Sequence, residues 1–134
     1  MTVYGEAGRG RSLSEFLKRA QGGFGRFVTP ADIERRNAFA TTDFLRQMPG
    51  VRHTPTGGSG YEITVRGATM QGQCMPDVFV DGIVMHDGAT ALDRIVNVQD
   101  LAGMEVYTGI GGTPAQYQRG ACGAIVVWTK GRLR

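Results

Sequence analysis

The segment Pro76–Met85, PDVFVDGIVM, contains two short apolar runs separated by an Asp-Gly pair. Runs of β-branched and aromatic residues on either side of Asp-Gly are the strongest short-range indication of a two-residue β-hairpin. A type I′ turn requires positive φ at both central residues, which Gly82 adopts freely and Asp81 tolerates. The segment therefore predicts a hairpin, in which Asp81 has a structural role and its carboxylate is solvated at the tip.

Outside this segment, the apolar pattern predicts strands of two kinds. Glu62–Arg66 and Met104–Thr108 alternate between apolar and polar residues, which is typical of half-buried strands. Ala124–Trp128, AIVVW, is continuously apolar, which indicates a central strand covered on both faces. Thr54–Gly60 and Gly67–Met75 are rich in glycine and polar residues, and both are predicted to be loops.

Helical spacing occurs mainly in the first third of the chain. Ser12–Gly23 has an apolar stripe, with capping-box spacing at its start and a glycine pair at its end. Thr29-Pro30 opens a second short helix, and a third begins near Thr41 and stops at Pro49-Gly50. Ala89–Val96 is a weak helical turn. The expected fold class is α+β, a small mixed sheet with short helices and long Gly-rich loops.

Length and composition narrow the class of protein. A chain of 134 residues is expected to form one domain, and its 21 glycines favour turns over long helices. The net charge of +3 comes from dispersed arginines rather than a dense basic surface, so nucleic acid is not an expected partner. The start, MTVYGEAGRGR, lacks a hydrophobic signal segment. The protein is then either cytoplasmic or separated from its targeting sequence.

Few residues are arranged for catalysis or cofactor binding. The glycines of Gly109–Pro114 follow a predicted strand, but they lack the third glycine and the Lys-Ser/Thr pair of phosphate-binding loops. His53 and His86 have no partners at metal-ligand spacing. No serine occupies a nucleophile elbow. The pattern indicates a protein that is not an enzyme and that needs no cofactor or metal.

The chain contains two cysteines, Cys74 and Cys122, which lie 48 positions apart in unrelated contexts. They form no CxxC pair, so a zinc site is not expected. Two alternatives remain open on the residues alone, a disulfide in an oxidising compartment or two buried thiols.

Five segments occur in an order and at intervals that are typical of one family: Thr41–Val51 (TTDFLRQMPGV), Ile63–Gly67 (ITVRG), Pro76–Gly82 (PDVFVDG), Leu101–Gly109 (LAGMEVYTG) and Pro114–Lys130 (PAQYQRGACGAIVVWTK). Together they resemble the plug domain of TonB-dependent outer-membrane receptors. The positions that carry the family motifs are Pro49, Gly50, Arg66, Gly67, Asp81, Gly82, Glu105, Gly109, Gly120 and Gly123.

The resemblance implies three regions: an amino-terminal extension with a short helix (1–26), a plug-like domain (27–130) and a basic tail (131–134). Two positions depart from the family pattern, because Gln118 stands where glycine is usual and Ile110 where proline is usual. A subgroup of plugs carries a cysteine pair, so the resemblance favours a disulfide between Cys74 and Cys122.

A plug implies a gate and ligand-contacting module in an outer-membrane transporter, on the periplasmic side. Its implied partners are the barrel domain of the same receptor and a periplasmic energy-coupling protein that pulls the amino-terminal segment. Arg66 and Glu105 would then contact the barrel or neighbouring plug residues, although plain solvated strand-face residues would look the same. The alternative is a standalone secreted plug-like protein that acts through protein contacts or self-association, since exposed sheet edges favour pairing.

Overall fold

The computed structural model describes residues 3–22, 24–57, 60–66, 72–108, 112–120 and 122–133, with side chains from Leu13 onward. The helices and strands are α1 (Val3–Gly22), β1 (Arg26–Val28), α2 (Pro30–Arg35), β2 (Val51–Gly57), β3 (Gly60–Arg66), β4 (Gln73–Cys74), β5 (Asp77–Val80), β6 (Ile83–Met85), α3 (Gly88–Ile95), β7 (Leu101–Tyr107) and β8 (Ala124–Thr129). Short 3₁₀ turns lie at Thr41–Phe44, Val98–Asp100 and Ala115–Tyr117.

The larger of the two sheets has five strands in the order β1-β7-β8-β5-β6. Neighbours are antiparallel except for β5 and β8, which run parallel. β8 is central and its residues Ala124–Trp128 are buried, which confirms the prediction from their continuous apolar character. The fold is α+β, as predicted, but it has two sheets where one small mixed sheet was expected, a mixed sheet of five strands and an antiparallel sheet of three.

The hairpin that the Asp-Gly pair predicts is present as β5 and β6. Asp81 has φ 53° and Gly82 has φ 89°, as a type I′ turn requires. The expectation of a solvated Asp81 carboxylate is wrong, because it accepts hydrogen bonds from the Thr129 backbone N–H (2.9 Å) and hydroxyl (2.7 Å). β8 continues past the end of β5, so its last residue reaches the turn.

β7 differs from the half-buried strand that its alternation predicts, because all seven of its residues are buried. One face contributes Met104 and Val106 to the main core between the sheets and α3. The other face packs against α1, where Phe16 is fully buried. Because α1 covers the second face, the residues that the alternation predicts to be exposed to solvent are buried.

Local predictions for the first half of the chain are partly wrong. α1 begins at Val3, so Ser12 lies inside the helix and does not cap it. The predicted helix from Thr41 is a 3₁₀ turn of four residues. Thr54–Gly60 is not wholly a loop, because β2 extends to Gly57 and β3 begins at Gly60. The polar residues of this segment form a strand, despite their loop-like composition, because they pair with β3.

Other local signals are confirmed. Thr29 caps α2 in a reciprocal capping box with Asp32, and Pro30 occupies the first turn. Ile63 and Val65 are the buried residues of β3. The predicted weak turn at Ala89–Val96 is the helix α3.

The second sheet has three strands in the order β2-β3-β4, and a covalent bond joins it to the larger sheet. Cys74 in β4 and Cys122 just before β8 form a disulfide, with Cα atoms 5.8 Å apart, which confirms the pairing that the resemblance favours. Leu133, within the predicted basic tail, is buried next to Phe16 and Gly103. Among the described residues, no helix is both long and apolar enough to cross a membrane.

Candidate functional site

Among the described residues, the predicted motif positions lie in four separate regions: the turn before β2 with the end of β3, the start of β5 and β8, the turn between β5 and β6, and the middle of β7. Pro49 and Gly50 form the turn before β2, where the Gly50 carbonyl accepts a hydrogen bond from the Arg66 N–H (2.9 Å). Arg66 is exposed at the end of β3. The predicted positions Gly67 and Gly109 lie outside the described residues.

The second group lies where β5 and β8 begin. Gly123 is buried, and its carbonyl accepts a hydrogen bond from the Asp77 N–H (3.3 Å). Gly120 is exposed, and a Cβ at that position would lie 3.4 Å from the Asp77 carboxylate. The disulfide at Cys122 adjoins this group, while Asp81 and Gly82 lie at the opposite end of β5. The residues that carry the family motifs therefore lie in separate parts of the fold.

Glu105 lies at the centre of a buried hydrogen-bond network. Its carboxylate accepts two bonds from the Arg19 guanidinium (2.7 and 2.8 Å), one from the Tyr107 hydroxyl (2.5 Å) and one from the Trp128 indole N–H (2.6 Å). Glu105 itself is 0% exposed. Two hydrogen bonds per carboxylate oxygen balance the loss of solvent that burial imposes on the charge.

The network shifts the protonation equilibria of its members. The hydrogen bond to Glu105 raises the pKa of Arg19 above its already high ordinary value, although burial opposes this. Burial is the main cause that raises the pKa of Tyr107, and its hydrogen bond to Glu105 acts in the same direction. At neutral pH the arginine is charged and the tyrosine is neutral, which are the states that the network requires.

The network corrects one expectation and supports part of another. Glu105 is not a solvated strand-face residue, since it is fully buried and bonded to its neighbours in this domain. The motifs in the sequence did not indicate Arg19, Tyr107 or Trp128 as partners of Glu105. The sequence alone could place only Glu105 and Tyr107 on one strand face, by their i, i+2 spacing. The contact with Arg19 depends on where α1 packs.

A polar pocket of about 480 Å³ lies between the smaller sheet and α3. We call it the interlayer pocket. Its lining residues are Arg46, His53, Pro55, Gly60, Tyr61, Thr90, Asp93 and Arg94. The walls come from separate parts of the chain, the β2–β3 hairpin on one side and α3 with the segment after the first 3₁₀ turn on the other.

The groups of the interlayer pocket differ in how far they are already bonded. The Asp93 carboxylate accepts bonds from the Thr42 N–H (2.8 Å) and hydroxyl (2.7 Å), and the Asp93 N–H donates to the Tyr61 hydroxyl (2.9 Å). Burial, the largest influence, raises the pKa of Tyr61. The one acidic side chain of the described lining is thus engaged by Thr42.

Some groups of this pocket have no polar partner among the described residues, whereas Arg46 is paired with Asp43. His53 stacks on Tyr61, with ring centroids 4.6 Å apart, and its Nε2 atom is buried with no hydrogen-bond partner among the described residues. Arg94 forms no ion pair within the described ranges, and Arg46 is 3.3 Å from Asp43. The pocket therefore favours a ligand rich in acceptor oxygens. In the sequence His53 is an isolated histidine, and nothing near it in the chain indicates the stacked Tyr61.

In the described part of the chain, no three His, Cys, Asp or Glu residues are grouped so that they could hold a metal ion. The buried carboxylate of Glu105 is instead bonded to protein groups.

Comparisons with solved structures show the same fold in receptor proteins. The siderophore receptor PirA from Acinetobacter baumannii superimposes with a TM-score of 0.60 at 22% identity, over 86% of this chain and 18% of PirA. The RagAB peptide importer gives a TM-score of 0.56 at 22% identity, over 81% of this chain and 12% of that chain. The ferric yersiniabactin uptake receptor FyuA from Yersinia pestis gives a TM-score of 0.54 at 18% identity, over 79% of this chain and 17% of FyuA.

The chain therefore spans less than a fifth of the length of these proteins. A search of curated protein sequences finds no match. Nothing in these comparisons favours the standalone, self-associating alternative. The family model described as the TonB-dependent receptor plug domain matches residues 10–125, which is most of the chain. Together with the two sheets and the motif positions they carry, this match shows that the chain belongs to the family of TonB-dependent receptor plug domains.

Proposed function

We propose that this chain is the gate and ligand-contacting module of a TonB-dependent outer-membrane transporter, with no enzymatic activity. The observation that carries the proposal is the match of 86% of the chain to less than a fifth of a siderophore receptor. In this proposal the domain acts by occupying and leaving a passage through a much larger receptor. The buried carboxylate of Glu105 and the partly buried carboxylate of Asp93 fit such a role, since both are bonded to protein groups.

The exposed face of the smaller sheet is the surface that we assign to the barrel wall. Arg52 pairs with Thr64 across β2 and β3, and Arg66 lies two residues beyond Thr64 on the same face. Both arginines are exposed and neither has an ion-pair partner among the described residues. Two adjacent guanidinium groups fit acidic side chains of a barrel lumen, where they would form charge-assisted bonds.

The interlayer pocket is our candidate for the ligand contact. Its two arginines and a tyrosine offer several donors to one ligand, and the His53 ring stacks on that tyrosine. PirA is described as a siderophore receptor and FyuA as a ferric yersiniabactin uptake receptor. We propose an acceptor-rich, anionic ligand of this kind for the present chain, with Arg46 and Arg94 as its main charge partners.

We assign residues 1–26 to energy coupling on the periplasmic side of the outer membrane. In this proposal a periplasmic coupling protein pulls the segment that precedes the plug domain at 27–130, and residues 131–134 form a basic tail after that domain. α1 suits this role because it lies outside the sheets, and Arg19 and Phe16 hold it. A pull on α1 would therefore act directly on the Glu105 network.

The first experiment is to isolate the native gene product from cell-envelope and secreted fractions and to measure its intact mass. We expect an outer-membrane protein several times heavier than 14.4 kDa, because the family members matched here are much longer chains. A product near 14.4 kDa in the secreted fraction would contradict the transport proposal. The same sample with and without reductant would report the disulfide.

The ligand contact is tested by uptake of ferric siderophore into cells that carry the Arg46→Ala/Arg94→Ala double variant. We expect reduced uptake with an unchanged amount of receptor in the outer membrane. The matched control is Arg35→Ala/Arg36→Ala, since these arginines are exposed near α2 and do not line the pocket. Equal uptake by both variants would contradict the assignment of this pocket.

A further inference from the structure

The charged side chains around the interlayer pocket balance one another. Arg46 and Arg94 in its lining are positive, and Asp93 in the same lining is negative. A second carboxylate, that of Asp43, lies 3.3 Å from the Arg46 guanidinium. These four groups sum to zero charge, so they do not attract a ligand in proportion to its negative charge.

Both carboxylates are fixed in position. The Asp93 carboxylate accepts the N–H (2.8 Å) and the hydroxyl (2.7 Å) of Thr42, which is fully buried. The Asp43 carboxylate accepts the backbone N–H groups of Phe39 (2.9 Å) and Ala40 (3.0 Å). Because protein groups hold them, neither carboxylate is free to turn away from an approaching anion. Fixed charges of this kind act as a repulsive element that contributes to specificity.

Arg94 is the cation of the pocket that remains for an anionic ligand. It forms no ion pair among the described residues, whereas Arg46 is paired with Asp43. Burial is the main cause that raises the pKa of Tyr61, and the charge of Asp93 acts in the same direction while that of Arg94 opposes it. One negative and one positive charge therefore act at the same hydroxyl of the wall. One anionic group can bind Arg94, but a second one at this wall meets Asp93.

The opposite wall suits the uncharged part of a ligand. The rings of His53 and Tyr61 are stacked, with centroids 4.6 Å apart and planes 22° apart, and Pro55 and Gly60 extend this wall. Stacked rings of this kind offer apolar surface to a planar group. The volume of about 480 Å³ is sufficient for a small organic acid.

We propose that the interlayer pocket selects ligands with a single anionic group, which Arg94 binds, while Asp93 and Asp43 exclude polyanions. The inference rests on the proposed function and deepens it, because it names the charge class of the ligand. A complex with one anionic group and neutral acceptor oxygens is accepted. A trianionic complex, such as ferric iron with three catecholates, is rejected by the two carboxylates.

The test is to titrate the 134-residue protein with benzoate, isophthalate and trimesate, which carry one, two and three carboxylates on the same ring. Binding is followed through the backbone amide resonances of Arg94 and Gly60 in NMR spectra at neutral pH and physiological salt. In the wild type we expect an affinity that does not rise with the number of carboxylates. Arg94→Gln should abolish the binding of all three acids.

Asp93→Asn is the decisive variant, because it removes the charge and keeps a carbonyl oxygen for the Thr42 N–H. We expect its affinity to rise about twofold for benzoate and about tenfold for trimesate, since the Coulomb energy scales with the charge of the ligand. The matched control is Asp87→Asn, the same charge change at the start of α3. The Asp87 side chain is exposed, forms no capping bond and does not line the pocket, so the ratio of the affinities should stay as in the wild type.

Asp43→Asn covers the case in which the Asp93 variant fails to fold. It keeps a carbonyl oxygen for the N–H groups of Phe39 and Ala40 and removes the charge beside Arg46. This variant should also favour trimesate over benzoate.

A wild-type affinity that rises severalfold with each added carboxylate would overturn the proposal, as would equal affinity ratios in the Asp93 and Asp87 variants. Absence of binding of all three acids to the wild type would also overturn it. Charge selection in a protein found only as a 14.4 kDa secreted product would reject the transport proposal and keep the selection. A preference for trimesate in a verified receptor whose uptake depends on Arg46 and Arg94 would do the reverse.

Discussion

At the scale of single residues, Glu105 shows how burial changes the meaning of a charged residue. On an exposed strand an ion pair of this glutamate would add little to the stability of the fold, because surface ion pairs contribute about 0–1 kcal/mol. Here it is fully buried and accepts four hydrogen bonds from the side chains of three residues. Removing one partner from such a site leaves an uncompensated charge in the interior, which is far more costly than losing a surface pair.

The first prediction concerns the counter-ion. Arg19→Met keeps an unbranched side chain on α1 but leaves Glu105 without its positive partner, so we expect the free energy of unfolding to fall by about 3–5 kcal/mol. Urea denaturation at neutral pH measures the change. Arg26→Met, at an exposed position of β1, is the control and should change stability by less than about 0.5 kcal/mol. Equal effects of the two variants would contradict the role of the network.

The second prediction concerns alkaline pH. Burial and Glu105 raise the pKa of Tyr107 in the folded protein, whereas in the unfolded chain it is about 10. Below pH 10 both states keep the proton and the stabilising contribution is complete. Above pH 10 the unfolded chain loses the proton first, so the free energy of unfolding falls by up to about 1.4 kcal/mol per pH unit for this residue.

Urea unfolding from pH 8 to pH 11 checks this dependence. Tyr107→Phe should show a shallower decline than the wild type, although Tyr61 and Tyr117, whose pKa values are also raised, keep part of the slope. The two proteins should have parallel stability curves below pH 9. An identical decline above pH 10 would mean that Tyr107 does not hold its proton more firmly in the folded state.

At the scale of elements, the hairpin combines two separable roles. The turn geometry depends on the positive φ of Asp81 and Gly82, while the Asp81 carboxylate binds Thr129 on β8. The turn thus closes the hairpin and also ties it to the central strand. Close packing extends this unit, because a Cβ on Gly88 at the start of α3 would lie 2.2 Å from Val78 in β5.

The third prediction separates these roles with two substitutions. Asp81→Gly keeps the backbone freedom of the turn and removes the carboxylate, so we expect a loss of about 1–3 kcal/mol from the Thr129 contact. Gly82→Ala keeps the carboxylate but puts an alanine at positive φ, which strains the turn and should lower the free energy of unfolding by about 1–2 kcal/mol. No steric clash adds to this strain, because no atom lies within 4 Å of a Cβ at this site.

Thr129→Val in both backgrounds is the test of independence. It should lower the stability of the Gly82→Ala protein, which still has the Asp81 carboxylate, and have little further effect in the Asp81→Gly protein. Chemical denaturation of the single and double variants gives the coupling energy. Additive losses in the Asp81→Gly background would indicate that the carboxylate does not act through Thr129.

At the scale of the whole molecule, a disulfide links the smaller sheet to the start of the central strand of the larger sheet. The fourth prediction is that removing it with Cys74→Ser/Cys122→Ser lowers the free energy of unfolding by about 4 kcal/mol, because the bridge closes a loop of 48 residues in the unfolded chain. Denaturation of the wild type with and without reductant should give the same difference. A change below about 1 kcal/mol would contradict a stabilising role.

The sequence by itself determined the elements whose signals are local. The Asp-Gly turn, the α2 capping box at Thr29 and the apolar run of Ala124–Trp128 each act over a few residues, so their spacing predicts the structure that forms. The family motifs likewise keep their order along the chain, and this order indicated the plug fold before any tertiary contact was known.

Only the tertiary structure decided which surfaces these elements hide. The alternation in β7 predicted one solvent-exposed face, but α1 covers that face. Glu105 is thereby buried beside Arg19, which lies 86 positions away in the sequence. The interlayer pocket likewise exists only because the β2–β3 hairpin packs opposite α3. Periodicity records which face of an element is apolar. The partner that covers the other face is set by long-range packing, which spacing in the sequence does not encode.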